Sequence, residues 1–202
     1  MPIIGSLLMS AVIATTPATP LPWFDLNDYP TKAFAREWQG TTNFDVIVDT
    51  QGRAIDCRIT KSSGHEILDR QACWVAIKRA RFTPASGADG LRTIGVYRSQ
   101  VVWSRPDRAG VQRDLGPDLE ISVNQLPPGS NGQAAVKLAY FVDTQGTPSA
   151  CTPLPDSARQ PKQLVDLACQ ALFKQFPHEP VSLNGNNVSA VRTAAVKVVA
   201  SE

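Results

Sequence analysis

A chain of 202 residues with 43% hydrophobic side chains, 19% charged side chains and a formal net charge of +2 has the composition of a folded globular protein. That composition excludes a disordered tail, and so slight a charge excess carries no nucleic-acid signature. The length suits one ordinary domain or two small ones.

Residues 3–14 form an apolar run that includes Leu7, Leu8, Met9 and Ile13. The run is shorter than the roughly 20 residues a membrane-spanning helix needs. It suits the apolar core of a secretory signal, with Val12 and Ala14 in the small-residue pattern of a cleavage site, although no Lys or Arg precedes it. The alternative is a buried N-terminal strand or helix. Residues 15–22, rich in Thr, Pro and Ala, are expected to be an extended, mobile linker because proline fixes φ and restricts the residue before it. Ordered structure is expected from Trp23.

Residues 29–38 open on Tyr29-Pro30 and stop before Gly40, which predicts a helix of two or three turns with Pro30 in its first turn. Phe44, Val46 and Val48 then alternate with polar positions, Gln51-Gly52 turns the chain, and Ile55, Cys57 and Ile59 alternate in their turn, a β-hairpin. After Ser62-Ser63-Gly64, residues 66–81 read as a helix with Leu68, Ala72, Val75, Ala76 and Ala80 on its inward face. Ser62 or Ser63 would cap it, with Glu66 in the first turn, and Lys78, Arg79 and Arg81 would complement its dipole. Phe82-Thr83-Pro84 ends that helix, and residues 92–103 read as a long third strand.

Residues 104–117 carry two prolines and Arg105, Arg108 and Arg113, and read as a connection. Val136, Leu138, Tyr140 and Val142 alternate next, Gln145-Gly146 turns, and Cys151 lies on a short strand interrupted by proline. Residues 163–176 are helical in pattern, with Leu164, Ala168, Leu172 and Phe176 on one side, and residues 190–200 are the expected last strand, Val191-Arg192-Thr193 echoing Leu91-Arg92-Thr93.

The two halves repeat. Val48-Asp49-Thr50-Gln51-Gly52, Cys57, Leu68 and Ala72-Cys73 return as Val142-Asp143-Thr144-Gln145-Gly146, Cys151, Leu164 and Ala168-Cys169. Each half therefore holds one pair of cysteines, on a strand face and on the helix that covers it. The expected disulfides are Cys57 to Cys73 and Cys151 to Cys169, each stabilising by about 3 kcal/mol in an oxidising compartment. Buried free thiols in a cytosolic core are the alternative, and no Cys knuckle of the kind structural zinc sites use is present.

Nothing in the chain requires catalysis, a cofactor or a metal. His65 and His178 stand outside any metal-ligand spacing. Ser62, Ser63 and His65 share a helix-entry turn rather than a nucleophile and base with an orienting acid, and Asp45, Asp49 and Asp56 do not face one another across a cleft.

In order and spacing, Tyr29-Pro30, Ala33, the hairpin with Val48-Asp49 and Gly52, Ser62-Ser63-Gly64-His65, Leu68-Asp69, Ala72 and Arg79-Ala80-Arg81-Phe82-Thr83-Pro84 resemble the C-terminal domain of the TonB energy-transducer family. The likeness covers about residues 28–103, and residues 133–200 resemble a degenerate second copy. The resemblance implies an α+β fold of two tandem units, each a three-stranded antiparallel sheet covered by helix. A signal-like segment and linker (1–22) would precede a first domain (23–104), a linker (105–118) and a repeat (119–202). It implies a periplasmic protein of the Gram-negative envelope. There it would bind an extended peptide of a TonB-dependent outer-membrane receptor, or another periplasmic protein, by strand addition, with no nucleic acid or small-molecule substrate. The peptide-contacting positions would be Tyr29 and Pro30 with Ile94, Val96, Arg98, Gln100 and Val102 on the exposed last strand. The family's membrane helix and proline-rich spacer are not legible here, so the expectation is a soluble binding module. The alternative is a structural envelope protein whose two repeats pair as a pseudo-dimer and leave no free edge.

Overall fold

The computed structural model describes residues 11–18, 23–104, 115–126 and 133–201. In chain order the elements are β1 (Thr16–Pro17), α1 (Thr31–Ala35), β2 (Gly40–Val48), β3 (Ala54–Lys61), α2 (Glu66–Arg79), β4 (Phe82–Thr83), β5 (Ala85–Ser86) and β6 (Arg92–Trp103). They continue with β7 (Leu119–Val123), β8 (Gln133–Val142), β9 (Pro148–Pro153), α3 (Lys162–Gln175), β10 (Val181–Leu183), β11 (Asn186–Val188) and β12 (Ala190–Ala200). The main sheet runs β3-β2-β6-β12-β8-β9, with β7 added beside β12.

Each half contributes three antiparallel strands, and the last strand of each pairs with the first strand of its hairpin in the same register. Val46 stands opposite Tyr97 and Val48 opposite Gly95, while Tyr140 stands opposite Arg192 and Val142 opposite Ala190. Ala190 is therefore the counterpart of Gly95. Arg192 is the counterpart of Tyr97, so the likeness between residues 91–93 and 191–193 is a coincidence of sequence and not a structural correspondence.

The turns repeat as well. Asp49 accepts hydrogen bonds from the Gln51 and Arg53 backbone N–H groups at 2.9 Å each, and Asp143 from those of Gln145 and Thr147 at 2.8 Å each. Gly52 (φ +82°) and Gly146 (φ +85°) follow in the left-handed region, where an added Cβ would collide with the carbonyl oxygens of Phe82 and His178. Disulfides join Cys57 to Cys73 and Cys151 to Cys169, in each half a strand to the helix above it.

Helix packing follows the sequence pattern. Leu68, Ala72, Val75 and Ala76 of α2 are fully buried against Phe44, Val46 and Val48 of β2 and Val101 and Trp103 of β6. Leu164, Ala168 and Leu172 of α3 pack on Val136, Leu138 and Tyr140 of β8 and Ala194, Val196 and Val198 of β12. On β6 the residues facing the helix are odd-numbered, and on β12 they are even-numbered. Since Ile94 of β6 lies beside Ala190 of β12 in the ladder, α2 and α3 cover opposite faces of the joint sheet.

That arrangement leaves each half with one bare sheet face, and each is covered by the other half. The β10–β11 hairpin lays Val181, Leu183 and Val188 on Ile47, Ile94 and Val96. In the reverse direction Ala85 and Ala88 lie on Ala139, Phe141 and Val191, joined there by Val12 and Ala14.

The N-terminal segment departs from the mobile linker the prolines suggest. Val12, Ala14 and Thr15 are buried, Ile13 exchanges two backbone hydrogen bonds of 2.9 Å with Ser86, and Thr16 and Pro17 pair with Thr83 and Phe82. Thr152 Oγ1 donates to the Val12 carbonyl at 2.7 Å, so this strand touches both halves. The buried-strand alternative describes residues 12–17; residues 1–10 and 19–22 lie outside the described residues.

Three smaller expectations change. The helix expected over residues 29–38 is only α1, with Pro30 at its N-cap and Glu37 at φ 55° reversing the chain just after it. Ser62 and Ser63 do not cap α2, whose N-cap His65 makes no side-chain cap. Instead they donate to Asp69, at 2.5 Å from Ser62 Oγ and 2.9 Å from the Ser63 N–H. Arg79 does more than complement a helix dipole: its guanidinium forks onto the buried Asp28 at 2.7 and 2.8 Å and reaches the Trp23 carbonyl at 2.9 Å, fastening the entry segment to α2.

Candidate peptide-docking site

β6 is the strand on which the sequence places the candidate contacts. Its inner side pairs with β2 along residues 95–103. On the outer side β12 pairs in parallel with Ile94 and Gly95 and then diverges. Among the described residues no strand pairs with residues 96–103 on that outer side. Backbone N–H and C=O groups on such an edge need a partner, water or an added strand.

The candidates divide along this strand. Ile94 is taken up in the ladder with Ala190. Val96, 6% exposed, lies beneath the β10–β11 hairpin with Ile47. Arg98 bonds to Asp45 at 3.2 Å and to Asp118, and Arg192 approaches Asp45 at 3.6 Å from β12. Burial alone would lower the Arg98 pKa, but the carboxylates of Asp45 and Asp118 outweigh it and hold the guanidinium charge above its ordinary range. Gln100 and Val102 remain half-buried on the face away from α2.

Tyr29 and Pro30 lie at the far end of the strand. The Tyr29 ring meets Trp103 edge-on at 5.7 Å and Phe34 at 5.8 Å, and its hydroxyl donates to the Trp38 carbonyl. At about 3.3 Å per residue this end is about 30 Å from Ile94. The structure thus brings Tyr29 and Pro30 to the end of β6 near Val102 and separates them from Ile94. Trp103 itself is fixed by Thr42, whose hydroxyl accepts from its indole N–H at 3.0 Å and donates to Asp69 at 2.8 Å.

Where β6 and β12 part, a cavity of about 250 Å³ opens, lined by Tyr97, Leu115, Asp118, Leu154, Thr193 and Ala195. On the opposite face a polar cavity of about 240 Å³ includes Asp45, Arg58, Arg98, Glu179 and Arg192. Asp118, β7 and the β10–β11 hairpin are parts of these surroundings that residue patterns did not assign. The alternation of Leu119, Ile121 and Val123 with Glu120 and Ser122 is the strand signal that marks β7. No group of three or more His, Cys, Asp or Glu among the described residues is placed to hold a metal ion, and no helix among them is long and apolar enough to cross a membrane.

Residues 26–96 match the family described as the Gram-negative bacterial TonB protein C-terminal. They form a TonB C-terminal domain. The match ends within β6, just past the point where β12 stops pairing with that strand. The chain is also 42% identical over 62 residues to Protein tonB2 of Pseudomonas aeruginosa, an alignment that takes in 31% of this chain and 23% of that protein. No solved structure matches the chain. In the TonB C-terminal domain the motif residues have clear structural duties: Asp69 gathers the Ser-Ser turn and Thr42, Arg79 binds Asp28, and Gly52 lets the hairpin pass beneath Phe82.

Proposed function

We propose that this chain is a TonB-like interaction module of the Gram-negative cell envelope that binds an extended peptide of an outer-membrane receptor, or of another periplasmic protein, by strand addition to β6. Residues 133–200 act in this reading as a second, degenerate copy of the same unit. The observation that carries it is that, among the described residues, no strand pairs with the outer side of residues 96–103, at the end of the segment that matches this family. An added strand would satisfy the ladder groups there, with Gln100 and Val102 on one face and the Tyr29 and Pro30 segment at the end near Trp103. The role in energy-dependent transport follows from the family and belongs to the same proposal, as does the periplasmic address, which the two disulfides support.

Titration calorimetry with receptor N-terminal peptides, paired with hydrogen exchange, tests the reading. Binding should protect amides within residues 96–103, and N-methylation of alternate peptide nitrogens, which deletes ladder donors, should abolish it. No heat and no protection at millimolar peptide would end the proposal. A second reading has one observation in its favour, the parallel pairing of Ile94 and Gly95 with Ala190 and Val191. In that reading the halves close each other's edges and the chain is structural, so residues 96–103 would already exchange slowly without peptide.

A further inference from the structure

The last strands of the two halves are counterparts, yet their outer edges differ. Gly95 and Ala190 hold equivalent places opposite Val48 and Val142. Beyond Val96 the edge of β6 has no partner strand among the described residues, whereas the corresponding edge of β12 is filled by β7. β7 does not belong to the repeated hairpin, helix and strand; it comes from the connection between the halves. It runs parallel to β12, from Leu119 opposite Val196 to Val123 opposite Ala200.

Its chemistry matches its seat. Leu119, Ile121 and Val123 extend the core under α3. Glu120 pairs with Lys197 at 3.2 Å on the other face. Ahead of them Asp118 accepts the Ala195 N–H at 2.8 Å, donates its own N–H to the Ala195 carbonyl at 2.8 Å, and binds Arg98 of β6. Of the five residues of β7 only Ile121 is buried, and among the described residues the strand has a ladder partner on one side alone.

We propose that residues 196–200 of β12 are a second strand-accepting edge, that β7 is its resident guest, and that on release of β7 the edge takes an extended partner peptide. The partner runs parallel to β12 and carries an acidic residue followed by apolar residues at alternate positions. Each requirement has a physical source. The outward ladder groups of β12 need a strand, the seam of Val196 and Val198 needs apolar side chains at every second position, and the Ala195 N–H and Lys197 need carboxylates. The inference rests on the strand-addition reading of β6 and adds a site to it.

The test uses the full chain, a Leu119→Asp/Ile121→Asp variant that removes the apolar side of β7, and a labelled synthetic peptide of residues 117–124. In the unaltered chain the peptide should leave exchange at residues 196–200 unchanged. In the variant the amides of Lys197 and Val199, which face β7 as those of Ala195 and Ser201 do, should exchange fast and regain protection with peptide, at one more equivalent bound than in the unaltered chain. A peptide with proline in place of the isoleucine should not restore them. A folded variant whose residues 196–200 stay exposed in saturating peptide overturns the inference. Should the variant not fold, native-state exchange of the unaltered chain in rising denaturant decides. Residues 119–123 and the β7-facing amides of Lys197 and Val199 are expected to open together before the amides of β12 that face β8, and opening only with the whole molecule overturns the inference. Protection of residues 96–103 by receptor N-terminal peptides without uptake of the 117–124 peptide on β12 sinks this inference alone, and failure of both peptides sinks both readings.

Discussion

Asp69 shows how one residue can anchor a motif. It is 6% exposed and accepts from Thr42, Ser62 and the Ser63 backbone, while Thr42 in turn holds the Trp103 indole. Burial raises its pKa, but those donors outweigh burial and leave it below the ordinary carboxylate value of 3.8. Asp49 follows the same balance, burial opposed by the N–H groups of Arg53 and Gln51, and Asp143 is lowered by the Thr147 and Gln145 N–H groups. A carboxylate depressed in the folded state stabilises above its unfolded pKa, and that stability is lost as pH falls through the folded value. Thermal melts should therefore be flat from neutrality to about pH 5 and drop below about pH 4, with a shallower acid slope in Asp69→Ala. That variant leaves three donors unpaired and should cost about 2–3 kcal/mol in urea unfolding at pH 7. Gly52→Ala and Gly146→Ala should each cost more than about 1 kcal/mol, because both combine a left-handed φ with a carbonyl where the methyl would go.

In each half one disulfide ties a strand to the helix that covers it, so a covalent tie adds to the packing of each unit. The disulfides enclose 16 and 18 residues of sequence separation, and removing either by a paired Cys→Ala change should lower the unfolding free energy by about 3 kcal/mol, read from urea curves with and without reductant. Both long last strands, Arg92–Trp103 and Ala190–Ala200, coincide with the alternation in the sequence, as do the inward faces of α2 and α3. The shortened α1 was not legible. Its extent is set by Glu37 turning back so that the Trp38 N–H reaches the Ala33 carbonyl at 3.0 Å, and no helical propensity signals that reversal.

At the scale of the molecule the halves are interdependent. Deleting residues 1–18 removes Val12 and Ala14 from between them, which should cost at least about 2 kcal/mol and loosen both halves, detectable as a lower urea midpoint and faster proteolysis. Residues 23–104 expressed alone would expose Ile47, Ile94 and Val96 where the β10–β11 hairpin now lies. That fragment should bind a hydrophobic dye and self-associate, while the full chain does neither.

Alternation, helical spacing and the duplicated Val-Asp-x-x-Gly with its cysteines determined the long strands, both long helices and the disulfide partners, and the motif series from Tyr29-Pro30 to Phe82-Thr83-Pro84 the family of residues 26–96, because each of these is set by neighbours within one half. Tertiary structure alone decided that α2 and α3 take opposite faces, that residues 12–17 are packed rather than free, that Ile94 is occupied by Ala190, and that β7 closes β12 while residues 96–103 stay open among the described residues. Those outcomes depend on how far β6 and β12 run together before they diverge, a balance of contacts between residues about a hundred positions apart that no local pattern encodes.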